Sequence, residues 1–156
     1  MKVVVLTILF CLFSYALAVG QTNSGWNGIV PLETTRSEVA RLLGEPKFVR
    51  KNSDLFFRPE EKVSIQYASG RCKGLSPHWN VKSGTVTSIL VIAMNPVPFD
   101  PAKLDKSFIR GPVNDDLSVE YFSADPGIKF VVSESGRLDL ISFTPGKIAR
   151  EKFVCK

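Results

Sequence analysis

The sequence predicts an α+β fold in which short helices pack on an antiparallel β-sheet. One observation behind this prediction is a capped amphipathic segment at residues 35–44, and another is the alternation of apolar and polar residues at 63–68. A third is that Gly, Pro and Asp turn residues separate further short apolar segments. The chain has 156 residues, 44% of them hydrophobic and 22% charged, which suits one globular domain. This composition excludes a disordered chain, a coiled coil and a disulfide-dense miniprotein.

The first 18 residues are typical of a secretory signal peptide. Lys2 provides a positive start, residues 3–15 are mostly apolar, and Ala16-Leu17-Ala18 is a small-residue cleavage pattern. We therefore expect cleavage after Ala18 and an exported protein, periplasmic or extracellular, with no transmembrane segment in the mature chain. The predicted organisation has three parts: a signal peptide at 1–18, an extended N-terminal lead-in at 19–28 and a single α+β domain at 29–156.

A short amphipathic helix is predicted at about 36–43. Thr35 and Glu38 have the spacing of a capping box, in which each side chain bonds the backbone N–H of the other residue. Val39, Leu42 and Leu43 then share one helical face, and Gly44 and Pro46 end the helix. Such a helix buries one face only, so we expect it to pack on a larger element.

Antiparallel sheet is the predicted partner of this helix. The alternation at 63–68 indicates a strand with one buried face, and 48–49, 55–57 and 85–92 are further candidate strands. The stretch 68–84 is rich in glycine, which predicts a long loop.

The second half of the chain repeats this order more weakly. Asp100-Pro101 has the form of a helix start. Three strands are predicted to follow, at about 118–122, 128–133 and 138–143, with the last two forming a hairpin. The order of one helix and then strands, occurring twice, fits either a tandem repeat or one α+β sheet, and we expect the single domain.

The mature chain retains two cysteines, Cys72 and Cys155, because Cys11 lies inside the signal peptide. In an oxidising compartment such a pair is expected to form a disulfide. Two free thiols are the alternative.

The segment LETTRSEVARLLGEP at residues 32–46 resembles the opening helix of the SmpA/OmlA (BamE) family of periplasmic outer-membrane assembly lipoproteins. The matching positions are Val39, Leu43, Gly44 and Pro46. This resemblance implies a BamE-like fold, with helices on a small antiparallel sheet, and binding of protein partners and lipid without catalysis. The lipidated cysteine of that family has no counterpart here.

A second resemblance covers most of the mature chain. Residues 25–32 (GWNGIVPL), 69–72 (SGRC) and 79–81 (WNV) are similar to an uncharacterised, acidobacterial-type family of exported bacterial proteins. This resemblance implies export and brings no activity.

The candidate catalytic residues are Cys72 and His78. Cys72 lies in a G-x-C-x-G pattern between Arg71 and Lys73, whose charges would favour a thiolate, and His78 is the only histidine. A small hydrolase or transferase using this pair is therefore the alternative function. The chain has no phosphate-loop, dinucleotide or zinc-protease motif, so neither a cofactor nor a metal site is predicted.

Basic residues cluster in sequence around the two retained cysteines. A Cys72–Cys155 bond would bring Arg71 and Lys73 close to Lys152 and Lys156, in a chain whose net charge is +5. We expect a basic patch there that faces an envelope protein, an anionic lipid or a polysaccharide. Nucleic acid is not an expected partner. The predicted function is a non-catalytic binding or cell-envelope structural module, with inhibition of another protein as a further possibility.

Overall fold

The computed structural model describes residues 25–74 and 77–155. Within them lie two α-helices, one 3-10 turn and eight β-strands. The helices are α1 (Arg36–Leu43) and α2 (Lys147–Phe153), and the 3-10 turn is Pro101–Lys103. The strands are β1 (Phe48–Arg50), β2 (Ser53–Phe57), β3 (Glu61–Tyr67), β4 (Val86–Pro98), β5 (Ile109–Val113), β6 (Val119–Ser123), β7 (Ile128–Val132) and β8 (Arg137–Phe143). The predicted α+β class with an antiparallel sheet is confirmed.

All eight strands belong to one antiparallel sheet, in the order β1-β2-β3-β4-β8-β7-β6-β5. Each half of the chain forms a four-stranded meander, and the two meanders join where β4 pairs with β8. The strands at the seam are therefore the last of each meander, and β1 and β5 form the two outer edges. The predicted β7–β8 hairpin is confirmed.

Helix α1 forms at the predicted residues because its local signals agree with one another. The Thr35 N–H donates to Glu38 Oε2 (2.7 Å), and the Glu38 N–H donates to Thr35 Oγ1 (3.4 Å), which completes the capping box. Gly44 ends the helix with a positive φ of 81°.

One face of the sheet is covered, and we call it the covered face. Over the first meander, α1 and the Trp26–Ile29 turn pack against it through Val39 and Ile29, both fully buried. The strand residues beneath them include Ile65 and Ile89. The apolar residues of β3 point into the core, as the alternation of its sequence predicts.

The connection between β4 and β5 covers the same face over the second meander. Phe99 lies 5.2 Å from Tyr121 and 5.6 Å from Phe130, measured between ring centroids, and Phe108 lies 5.4 Å from Phe130. Each half of the sheet is thus covered by the segment that precedes its first strand.

Helix α2 closes one end of the molecule over a smaller apolar cluster. Ala149 and Phe153 pack against Leu32, Trp79 and Val81. The backbone joins the same segments, since the Asn80 N–H donates to the Phe153 carbonyl (2.7 Å) and the Cys155 N–H to the His78 carbonyl (2.9 Å).

The structure differs from the sequence-based expectations at several positions. Residues 25–28, at the end of the predicted extended lead-in, belong to a tight turn in which Trp26 and Ile29 exchange two backbone hydrogen bonds of 2.9 Å. The helix expected at Asp100-Pro101 is a single 3-10 turn. Strand β5 and helix α2 were not predicted. The predicted signal peptide and the predicted lead-in up to residue 24 lie outside the described residues.

Among residues 25–74 and 77–155, no helix has the length and apolar character that crossing a membrane requires.

Candidate functional site

The predicted disulfide is present and joins the two basic segments. Cys72 and Cys155 are bonded, with a Cα–Cα distance of 5.6 Å across a sequence separation of 83 residues. Arg71 and Lys73 are exposed on either side of Cys72. Lys152 is exposed on α2, with Nζ 5.0 Å from the centre of the Phe153 ring. Three of the four predicted patch residues therefore lie on segments that the disulfide connects, while Lys156 lies outside the described residues.

The candidate catalytic pair is not assembled in this structure. The Cys72 sulfur is bonded to Cys155 and is not a free nucleophile. His78 is exposed, and its backbone carbonyl accepts from the Cys155 N–H. Within the described residues, no three His, Cys, Asp or Glu side chains form a group able to hold a metal ion.

The second face of the sheet, which we call the open face, is the larger candidate surface. Residues paired across neighbouring antiparallel strands have side chains on the same face. One paired row crosses all eight strands: Phe48, Leu55, Ser64, Leu90, Ser142, Lys129, Phe122 and Ile109. A second row runs beside it: Phe57, Lys62, Ile92, Leu140, Val131 and Glu120.

Apolar side chains of the open face are accessible to solvent. Phe48 is 54% exposed, Phe57 51%, Ile109 60% and Phe122 38%. Leu90, in the middle strand β4, is only partly buried. Of the described segments, α1, the Trp26–Ile29 turn and the β4–β5 connection pack on the covered face, and α2 packs at one end. Of these segments, α2 reaches the open face, where its Arg150 lines a cleft with the open-face residues Gln66 and Ser88.

The β1–β4 half of the open face forms a shallow groove of about 490 Å³. Phe48 lines the groove, and its ring meets the ring of the neighbouring Phe57 edge to face with 6.2 Å between centroids. Lys62 Nζ lies 5.6 Å from the centre of the Phe57 ring, a distance at which the lysine cation is attracted to the face of the ring. Leu90 and Ile92 form part of the groove wall.

The charge of the open face is mostly positive. Lys129 pairs with Glu120 at 2.8 Å, so these two charges balance. Arg50 and Lys62 also lie on this face, and neither forms an ion pair with another described residue. The groove therefore combines apolar and aromatic side chains with two cations that no described residue pairs with, and with Asp54, whose carboxylate binds Arg36.

An ion pair between the partly exposed Arg36 and the buried Asp54 connects α1 to the strands that carry the groove. The Arg36 guanidinium of α1 binds the Asp54 carboxylate of β2 through two N–H groups, one of them Nε at 2.9 Å, and Asp54 is only 5% exposed. Arg36 also donates to the backbone carbonyls of Lys51 (3.1 Å) and Arg50 (2.8 Å) in the β1–β2 turn. Its hydrogen bond to Asp54 raises the pKa of Arg36 above the ordinary value. The guanidinium lies 4.9 Å from the centre of the Tyr67 ring.

A second concavity, of about 290 Å³, lies beside the disulfide. Lys73 and Arg150 line it, together with hydroxyl groups from Ser69, Ser88 and Thr144. Sequence reasoning placed Lys73 in a basic patch and missed its position in a cleft with Arg150.

Sequence reasoning also missed the open face. The signal was present in the unbroken apolar run Ile89-Leu90-Val91-Ile92, because alternate residues of a strand point to opposite faces. Ile89 and Val91 are buried on the covered face, which places Leu90 and Ile92 on the other. A strand that is apolar on both faces is typical of a sheet covered on both sides.

Comparison with known proteins gave one structural similarity. The chain is similar to a DUF4309 family protein (YjgB) from Bacillus subtilis subsp. subtilis str. 168, with a TM-score of 0.48 and 13% sequence identity over 79% of this chain and 87% of that chain. No protein-family model matches the sequence. No curated protein matches it either.

Proposed function

We propose that this protein is an exported, non-catalytic binding module whose open face docks on a protein partner with an acidic rim. The observation that carries the proposal is the exposure of apolar side chains on the open face, among them Phe48, Phe57, Phe122 and Ile109, in rows that also contain Ser64, Ser142 and Lys129. Burial of apolar surface is the main favourable term in protein association. A face with this composition gains free energy when a partner covers it.

The extent of the open face favours a macromolecule over a small ligand. Neighbouring strands lie about 4.8 Å apart, so the row from Phe48 to Ile109 is about 34 Å long. A strip of that length and roughly 20 Å width is close to the ~800 Å² that each protein contributes to an interface of standard size. Phe48, Phe57 and Phe122 supply exposed aromatic side chains, which are enriched in the central part of such interfaces.

The charge of the open face defines the chemistry of the partner. Arg50 and Lys62 lie at the groove and form no ion pair with another residue that the structure describes, so carboxylates around an apolar centre would complement them. The net charge is +5 for the whole chain and +4 without Lys2 of the predicted signal peptide, and it acts in the same direction by speeding encounter with an acidic partner. The resemblance of residues 32–46 to the BamE family, which implies protein and lipid binding, also supports this proposal.

Export is part of the proposal. The sequence of residues 1–18 is typical of a signal peptide, and the Cys72–Cys155 disulfide is compatible with an oxidising compartment. The partner is therefore expected in the periplasm or outside the cell. The alternative of a hydrolase or transferase uses Cys72 as a free thiol, so the Cys72–Cys155 bond supports the binding module over this alternative.

Site-specific photo-cross-linking in cells that export this protein tests directly whether a partner binds the open face. A photoreactive residue replaces Phe57 or Phe122 on the open face, or Ile148 as the control. Ile148 is 67% exposed on α2, outside the sheet. We expect one defined protein to be cross-linked from both open-face positions and not from the control. Cross-linking only to a second copy of this chain would replace the proposed partner by self-association, and no product at either position would contradict docking.

Affinity measurements with this protein and its purified cross-linked partner distinguish docking on the open face from nonspecific cross-linking. Phe57→Asp places a charge beside the groove, and truncation of an aromatic hot spot costs about 2 kcal/mol or more, roughly 30-fold in the dissociation constant. Ile148→Asp is the matched control and is expected to bind as the unmodified chain does. Equal affinities for the two variants would refute the proposal.

A further inference from the structure

We propose that the cleft beside the disulfide binds an anionic sugar, one saccharide unit that carries a carboxylate or a phosphate group. This cleft, of about 290 Å³, is distinct from the groove between β1 and β4. Four segments line it: the end of β3 with residues 68–69, the described residues 73–74 and 77–79, the start of β4, and residues 144–145 with Arg150. The inference does not depend on the proposed docking of a protein on the open face.

Two cations give the cleft its charge. Lys73 and Arg150 both line it, and none of its described lining residues is Asp or Glu. Lys73 is exposed and has no ion pair within the described residues. An oxyanion entering the cleft therefore meets two positive groups and no competing carboxylate on the wall.

Arg150 is held in position before any ligand arrives. Its Nε donates to the Pro145 carbonyl at 2.7 Å, and its Nη2 donates to Thr144 Oγ1 at 3.3 Å. Thr144 Oγ1 in turn donates to the Gly127 carbonyl at 3.1 Å. These bonds use two of the five guanidinium N–H donors, so others remain for an oxyanion. A side chain fixed in this way loses less conformational entropy on binding.

The other polar groups of the cleft match sugar hydroxyls. Gln66 and Ser88 are directly paired across β3 and β4, and both line the cleft. Ser69 Oγ accepts from Asn52 Nδ2 at 2.6 Å, which leaves its hydroxyl hydrogen able to donate. Amide and hydroxyl groups both donate and accept hydrogen bonds, as sugar hydroxyls do.

The remaining walls are apolar and the volume is small. Trp79 and Pro145, both buried, contribute apolar surface on which the C–H groups of a sugar ring can pack. The cleft is at the lower limit of the range of about 300–1,000 Å³ found for small-molecule sites. It therefore suits one sugar unit, and an adjoining part of a longer saccharide would extend into solvent.

Titration of the oxidised mature chain with defined sugars tests this site. Glucuronate and glucose 6-phosphate distinguish a carboxylate from a phosphate source, and glucose and inorganic phosphate are the two partial ligands. Amide NMR shifts report the site, and we expect either acidic sugar to perturb Ser69, Ser88 and Thr144. Glucose or phosphate alone is expected to bind at least tenfold more weakly. Equal affinities for phosphate and glucose 6-phosphate would contradict recognition of the sugar ring. The absence of shift changes with all four probes would contradict the binding site itself.

Variants assign the binding to the cleft. Lys73→Gln removes one cation from an exposed side chain and is expected to weaken acidic-sugar binding at least tenfold. Lys147→Gln is the matched control, because Lys147 is an exposed lysine of α2 that does not line the cleft. Equal loss in both variants would show a nonspecific charge effect and contradict the site. The test is independent of the protein partner, since Phe57→Asp should leave sugar binding unchanged.

Discussion

Removal of the disulfide gives a prediction whose magnitude follows from the length of the loop it closes. The bond joins residues separated by 83 positions. The chain-entropy relation for a loop of that length gives about 4.5 kcal/mol of stabilisation at 25 °C, through restriction of the unfolded chain. We expect the double variant Cys72→Ser/Cys155→Ser to lose about that amount of its free energy of unfolding. A loss of this size is a large part of the 5–15 kcal/mol that stabilises a typical domain.

Urea unfolding measures this loss. With a denaturant slope of about 2 kcal/mol per molar for a small protein, the midpoint is expected to fall by roughly 2 M. Trp26 and Trp79 report on the two apolar clusters at the same time. Reduction of the unmodified chain should lower the midpoint equally, and the double variant should not respond to the reductant. A midpoint shift of less than about 0.5 M, with an unchanged slope, would refute the loop-closure reasoning.

Three further predictions concern α1 and the ion pair beneath it. Arg36→Leu leaves the Asp54 carboxylate buried without its partner, so the free energy of unfolding measured in urea should fall by about 3–5 kcal/mol. A fall of less than about 1 kcal/mol would contradict the role of this ion pair. Burial raises the pKa of Tyr67 above its ordinary 10.0, so the contribution of Tyr67 to stability is complete below pH 10 and falls as the pH rises further. Tyr67→Phe should remove the part of the alkaline stability loss that Tyr67 causes. An alkaline stability profile identical to that of the unmodified chain would contradict this prediction. Hydrogen bonds from Thr35 lower the pKa of Glu38 below its ordinary 4.5, so the stabilisation by Glu38 is present above pH 4.5 and is lost as the pH falls. Glu38→Gln should therefore flatten the acid side of the stability profile. An unchanged acid side would argue against the capping box.

Local signals accounted for the elements that the sequence predicted well. Helix α1 has its cap, its apolar face and its terminating glycine within ten residues, so its limits were predictable without tertiary information. Strand β3 alternates without interruption. In both cases the local preference and the packing agree.

The missed elements depend on their surroundings. Strand β5 contains Gly111 and Pro112, which argue against a strand, yet β5 is an edge strand, where proline is tolerated. Helix α2 begins after Gly146 with no side-chain cap. Contacts of Ala149 and Phe153 with the Trp79 cluster hold it instead. No local pattern in the sequence signals such support.

The candidate sites were predictable only where covalent chemistry links distant segments. The count of retained cysteines predicted that Arg71 and Lys73 would approach the C-terminal basic segment. The cleft also requires Gln66 and Ser88 from paired strands, and that pairing depends on the sheet register. The open face could not be predicted because the apolar run in β4 does not tell whether another element covers it.

Methyl NMR of the complex tests most directly the central claim that a protein partner covers the open face. Leu90, Ile92 and Leu140 carry methyl groups on the open face, and Ile65 and Ile89 carry them on the covered face. With the purified partner, we predict large shift changes at the three open-face residues and small ones at the two covered-face residues. Changes confined to Ile148 on α2, or no changes at the open-face methyls while the partner is bound, would contradict the claim.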